Sequence, residues 1–329
     1  MPQPLKAELH CHLEGAMPPA LALQLAARHG IDLSAHIDAA GHYRWRDFAE
    51  FLGVYDAASA AIQTARDYYD LALAYYDAAA AEGAIYVEVM ISPAHAARQG
   101  IAYPALTEAL SEALEQARRA RGIEGRLILT AVRHLGVEAV EEVARLALAH
   151  PHPMVTGFGM AGDETFAAPG DFARAFAIAR DAGLGLTVHA GELAGPESVQ
   201  AALAHLKPQR IGHGVRAIEN SAVMDALRDS GAVLEVCPSS NVALRLYPSI
   251  AAHPVMRLAA AGLNITLGSD DPPFFFTSIG GEYEKVSAAH GLDDAVMLNF
   301  TRTAIEAAFC DEDTKARLRA RIAEGEGAT

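Results

Sequence analysis

Two histidines spaced by one residue, His10 and His12, lie in the run Glu8-Leu9-His10-Cys11-His12-Leu13-Glu14-Gly15. Side chains of a strand alternate between faces, so on a strand both imidazoles project to one side and Cys11 to the other. The spacing allows chelation of one ion without requiring it, because ordinary barrel-lining histidines read the same way. Three more segments share this chemistry: Thr187-Val188-His189-Ala190-Gly191-Glu192, Ile211-Gly212-His213-Gly214 and Gly268-Ser269-Asp270-Asp271-Pro272. In each, a histidine or acid follows a short apolar run. One such histidine is usually a satisfied core residue. Four of them with an Asp-Asp pair are hard to pack without a cation, since grouping buried ionisable groups is costly. Three imidazoles and one carboxylate suit zinc, which in catalytic sites keeps a position for water and can lower that water's pKa to about 7. Glu192, close behind His189, is placed as the proton-transfer carboxyl, with an ordinary loop acid as the plainer alternative. Lys6, Lys207, Lys285 and Lys315 are the only lysines. All four fall outside the expected mouth, so no lysine is available to bridge two metals. One zinc ion per chain is the expectation, with a bridging acid left open.

Something must deliver these groups to one place. Eight short runs rich in apolar residues end abruptly in polar or glycine-containing turns, as buried parallel strands do: 6–13, 84–91, 126–132, 154–160, 185–189, 210–213, 232–236 and 263–268. Segments with helical spacing lie between them, at 107–121, 137–149, 171–182, 196–205 and 221–230. From the third strand onward the intervals fit one βα unit each and leave no space for a second domain. Residues 1–329 therefore read as one domain, a single (β/α)8 TIM barrel, and every candidate residue falls at a strand's carboxyl end, where barrels carry their chemistry. The long gap after the first strand holds helical patterns at 18–29, 46–60 and 64–82, a helical insertion of the kind that covers a barrel mouth. Trp45, Phe48, Phe51 and Leu52 are placed there as an apolar lid or as plain core. Closing helices are expected at 280–290 and 294–323.

Composition narrows the partners. The chain is 51% hydrophobic and 20% charged, which fits a packed globular protein. A net charge of −15 argues against a nucleic-acid or anionic membrane surface and for a small-molecule partner. The amino terminus has no secretory pattern and no apolar run is long enough to cross a bilayer, so a cytoplasmic location is expected. Cys11, Cys237 and Cys310 form no close pair and read as core or bystanders. Nothing in the sequence assigns an oligomeric state.

The segments ELHCHLEG, GFGMAGDE, TVHAGE, RIGHG, CPSSN and SDDP occur in this order along nearly the whole chain, and with the closing TRTAIEAAF they resemble the adenosine and adenine deaminase branch of the amidohydrolase superfamily. That resemblance implies a hydrolase that removes the 6-amino group of an adenine-type purine. It implies His10, His12, His189 and Asp270 as zinc ligands and Glu192 as the donor to the ring nitrogen beside the amino-bearing carbon. His213 positions or deprotonates the attacking water, and Asp271 orients that oxygen or hydrogen-bonds purine N7. His12, Glu14, Gly162 and Asp271 are the expected substrate contacts, with the Gly162 N–H facing ring N3. Adenosine is placed first as substrate. Glu14 stands where many adenosine deaminases carry Asp and adenine deaminases often carry Glu, so the free base is the alternative, beside modified 6-aminopurine nucleosides. A non-catalytic purine-binding homologue and a zinc hydrolase of esters, lactones or cyclic amides are the competing classes.

Overall fold

The structure, a computed structural model, describes residues 4–327. Eight strands follow one another in chain order around a single sheet: β1 (Lys6–His12), β2 (Ala84–Ile91), β3 (Glu124–Val132), β4 (Val155–Ala161), β5 (Gly185–Ala190), β6 (Arg210–His213), β7 (Val233–Val236) and β8 (Ile265–Leu267). Each pairs in parallel with the next. All residues of β1 and β2 are buried, as a strand covered by helices outside and barrel side chains inside must be. The ring is completed by a bridge between Cys11 and Asp270, where the Asp270 N–H donates to His10 O at 3.0 Å and the His12 N–H donates to Asp270 O at 2.9 Å. Helices at Val137–Ala149, Pro196–His205 and Ser221–Ser230 occupy the outer layer where their spacing predicts them. The architecture is a single (β/α)8 barrel.

The insertion after β1 contains α1 (Pro19–His29), α2 (Phe48–Ser59) and α3 (Ala65–Ala81). Local chemistry sets their ends: Asp47 caps α2 by accepting from the Glu50 N–H, Thr64 caps α3 by accepting from the Asp67 N–H, and Gly30 ends α1 in the left-handed region. Phe51 of α2 packs on Phe274 and Phe275, beyond β8, at ring separations of 5.6 and 5.1 Å. The insertion thus lies across the barrel mouth. No helix among the described residues is long and apolar enough to cross a membrane.

The closing helical pattern at 294–323 is not continuous. It breaks into helices at Asp294–Ala307 and Glu312–Gly327. The intervening Phe309 turns toward the amino-terminal end of the barrel, where its N–H donates to Glu88 and its ring lies 3.6 Å below the Arg210 guanidinium. Glycine makes this possible: a Cβ on Gly185 would sit 2.3 Å from the Phe309 ring and one on Gly157 2.8 Å away. Periodicity cannot reveal such a break, because its cause lies in distant strands.

Gly185→Ala is therefore expected to destabilise the fold by about 1–3 kcal/mol, the range for overpacking a filled interior. Denaturant midpoints should show the loss, and a Phe309→Leu background should reduce it, as coupled neighbours do. An additive double variant would contradict the contact.

Candidate active site

The carboxyl ends of β1, β5, β6 and β8 bring together His10, His12, His189, His213 and Asp270. Ring nitrogens of His10, His12 and His189 lie within 4.8 Å of one another. Asp270 Oδ1 is 3.5 Å from His10 Nε2 and 3.4 Å from His12 Nε2. A tetrahedral ion with bonds of about 2.0–2.1 Å separates its ligands by roughly 3.4 Å, so these spacings fit a zinc-sized cation. His10 Nε2 and His189 Nε2 are buried without a hydrogen-bond partner among the described residues, an arrangement that a cation would satisfy. His213 and Asp270 both adopt left-handed backbone, φ 62° and 63°. His and Asp tolerate that region better than most residues, yet such positions cost roughly 1–3 kcal/mol and concentrate at functional sites.

His10 is aimed from behind. Its Nδ1 lies 2.9 Å from Glu235 Oε2, which also accepts from the Thr187 hydroxyl at 2.9 Å. Glu235 in turn pairs with Arg210 at 2.6 Å, and Arg210 pairs with Glu88 at 2.6 Å. His10, Glu235, Arg210 and Glu88 are fully buried. With Nδ1–H directed to a carboxylate, Nε2 is the ring atom left for a metal. The carboxylates outweigh burial and push the His10 pKa up to about 10, so an ion must displace a proton from this ring. His189 is held neutral chiefly by burial, with neighbouring histidines adding to it, and His213 is lowered to about 3, again chiefly by burial.

Burial also governs Glu192 and Asp271. It raises Glu192 well above the usual carboxyl range, reinforced by Asp270 and Glu164. Asp271 rises for the same reason, with Asp270 next. Asp270 moves the other way: its hydrogen bonds with His10 and His12 overcome burial and keep it ionised. Glu164 fixes the loop that carries Glu192, accepting from the backbone N–H groups of Gly191, Glu192, Leu193 and Ala194 and from the Ser198 hydroxyl. Two glycines leave room for the cluster. A Cβ on Gly212 would lie 2.7 Å from His10 and 2.8 Å from His189, and one on Gly15 would overlap Asp271.

These groups open on a cavity of about 80 Å³. His12, Glu14, Gly162, Glu192, His213 and Asp271 line it, so the expected substrate contacts are gathered at one site. Phe48, Phe51 and Leu52 of α2 form part of the wall. Trp45 lies behind that layer, edge-on to Phe51 and Phe275 at 5.7 and 5.8 Å. Cys237 is closer to the centre than its reading as a bystander implies, its sulfur within 4.8 Å of ligand atoms of His10 and Asp270. Burial raises its pKa well above the usual thiol value, and a neutral thiol is a poor ligand. The sequence reading passed over Glu88, Arg210 and Glu235. Glu88 and Glu235 are charged residues inside otherwise apolar strand runs, and Arg210 opens the run 210–213.

A parallel barrel with histidines and acids gathered at its carboxyl mouth defines an amidohydrolase-type enzyme. The chain matches the adenosine deaminase family over residues 4–325. It is 54% identical over 318 residues to the adenine deaminase of Chelativorans sp. (strain BNC1), covering 97% of this chain and 98% of that one. Among solved structures, it is similar to adenine deaminase from Arthrobacter aurescens, with TM-score 0.92, 31% identity and coverage of 98% and 99%. It is also similar to an amidohydrolase from Burkhoderia ambifaria with bound Zn, with TM-score 0.88, 29% identity and coverage of 98% and 90%. The chain belongs to the adenosine deaminase family and is a hydrolase acting on carbon–nitrogen bonds of cyclic amidines.

Glu235→Gln removes the charge that orients His10 and balances Arg210. Metal retained after dialysis against a weak chelator should fall, with affinity reduced by roughly 10–100-fold. Unchanged metal affinity would separate Glu235 from the site.

Proposed function

We propose that the protein is a zinc-dependent adenine deaminase, converting the free base to hypoxanthine and ammonia. The sequence reading put adenosine first; the named relatives favour the alternative. The observation that carries the free base is Glu14. It is buried in the cavity wall, where its Oε1 accepts from the Tyr68 hydroxyl at 3.1 Å and the Ser92 N–H at 3.0 Å. A carboxylate has about four acceptor sites. Those left over suit the imidazole-ring N–H that free adenine has and a nucleoside lacks.

His10, His12, His189 and Asp270 would hold one zinc ion, which supplies Lewis acidity and makes water a nucleophile near neutral pH. Glu192, kept protonated by burial, donates to the ring nitrogen beside the amino-bearing carbon and makes that carbon electrophilic. Asp271 is likewise held toward its protonated form, and its Oδ1 has no partner among the described residues, so it donates to purine N7, an acceptor. The Gly162 N–H faces ring N3, and glycine is required there: φ is +99° and a Cβ would lie 2.8 Å from His134. His213 holds the incoming water oxygen. Addition of that oxygen dearomatises the ring; of the two protons the water gives up, one goes to the amino nitrogen and one restores Glu192, and the carbon–nitrogen bond breaks to release ammonia.

A comparison of kcat/KM for adenine, adenosine, deoxyadenosine, AMP and N6-substituted purines is expected to place adenine at least about 100-fold above the nucleosides. Preference for adenosine would overturn the substrate assignment. Glu192→Gln should lower kcat by about 10²–10⁴-fold with metal content unchanged; full turnover in that variant would remove Glu192 from proton transfer.

A further inference from the structure

The CPSSN segment ends in Asn241, which lies outside the cavity wall and contacts His213 from behind. Asn241, His213 and His253 are all essentially excluded from solvent. The Val255 N–H donates to His253 Nδ1 at 3.1 Å. A backbone N–H can only donate, so His253 Nδ1 is bare and the proton of this neutral ring is on Nε2. Burial lowers the His253 pKa to about 3, which keeps the ring neutral. His253 Nε2 is 3.1 Å from Asn241 Oδ1, and this contact turns the other end of the amide toward His213. Asn241 Nδ2 then faces His213 Nδ1 at 3.5 Å, a long hydrogen bond with a defined direction. Direction runs one way along the chain: backbone N–H, His253, Asn241, His213.

We infer that Asn241 and His253 are positioning residues that fix His213 as the Nε2–H tautomer, so that it enters the site as a hydrogen-bond donor and not as a base. His213 Nε2 lies 3.6 Å from Glu192 Oε2 and 4.0 Å from Asp270 Oδ2, with no hydrogen-bond partner among the described residues. A donor at that point holds the oxygen that adds to the substrate and stabilises the negative charge growing on it. A bare nitrogen could accept a proton but would face that charge with a lone pair. Of the two roles that the family resemblance leaves open for His213, this tautomer selects the first: it orients the oxygen and stabilises its charge.

The tautomer can be read directly on zinc-loaded enzyme carrying 15N-labelled histidine, with His213 assigned by its disappearance in His213→Gln. Two-bond proton–nitrogen correlations should show His213 Nε2 protonated and Nδ1 bare. Asn241→Asp preserves shape but can only accept, so the pattern should invert, with kcat falling on the order of 10²-fold and KM within about threefold. His253→Gln keeps a donor toward Asn241, and its kcat should exceed that of His253→Leu by about tenfold. A proton on His213 Nδ1 in the unaltered enzyme would overturn the inference, as would an Asn241→Asp variant with unchanged spectrum and kcat. If Asn241→Asp fails to fold, the spectrum of the unaltered enzyme and the two His253 variants decide. The kinetic arms rest on the deaminase reading and the spectrum does not: an enzyme inactive on every aminopurine but showing the expected tautomer refutes that reading alone.

Discussion

The interior of this barrel depends on an alternating line of buried charge: Glu88, Arg210, Glu235, His10. None of these groups could be desolvated alone. Removing one member of a buried pair typically costs about 3–5 kcal/mol, because the remaining charge is stranded. In series, each charge is neutralised by its neighbours. The last member, His10, has one nitrogen fixed and the other left for a cation. The same line that makes the core tolerable therefore orients a ligand. Tyr86 extends it by donating to Glu88 at 2.6 Å.

The seam between β1 and β8 adds a second constraint. The bonds that complete the ring belong to His10, His12 and Asp270, three of the four residues assigned to the ion. Closure of the ring and the placement of these three side chains therefore rest on the same backbone bonds, with left-handed backbone at Asp270 part of the arrangement. Glu164 plays the corresponding part for Glu192, since its carboxylate gathers four successive N–H groups and leaves the loop around that residue little freedom.

Much of this was legible in the sequence. The eight strands fall where apolar runs predict them because a parallel strand buried on both faces has no other composition. His10, His12, His189, His213 and Asp270 were visible because strand ends in a barrel share one destination. Glu235 and Arg210 are not legible as a pair, because a single charge within or at the start of an apolar run does not name its partner on the next strand. Glu164 was seen as part of a turn, but its action on residues far along the chain depends on how β4 and β5 lie together. The break before Phe309 escaped detection for a related reason: helical spacing continues through it, and only the glycines of β4 and β5 make a place for the ring. Substrate choice is the least legible feature: in the sequence Glu14 only sets the free base beside adenosine, and its buried hydrogen bonds with Tyr68 and the Ser92 N–H exist only in the fold.

Phe309 also bears on the order in which the molecule is completed. Its N–H satisfies Glu88, the far end of the charge line, from a position near the end of the chain. A polypeptide growing from its amino terminus has its ligand-bearing strands in hand well before that donor exists. Until residue 309 arrives, Glu88 lacks one of its partners and Arg210 has no ring beneath it. The full set of partners around Glu88 and Arg210 therefore exists only once the segment around residue 309 has been made, at the opposite pole of the barrel from the histidines.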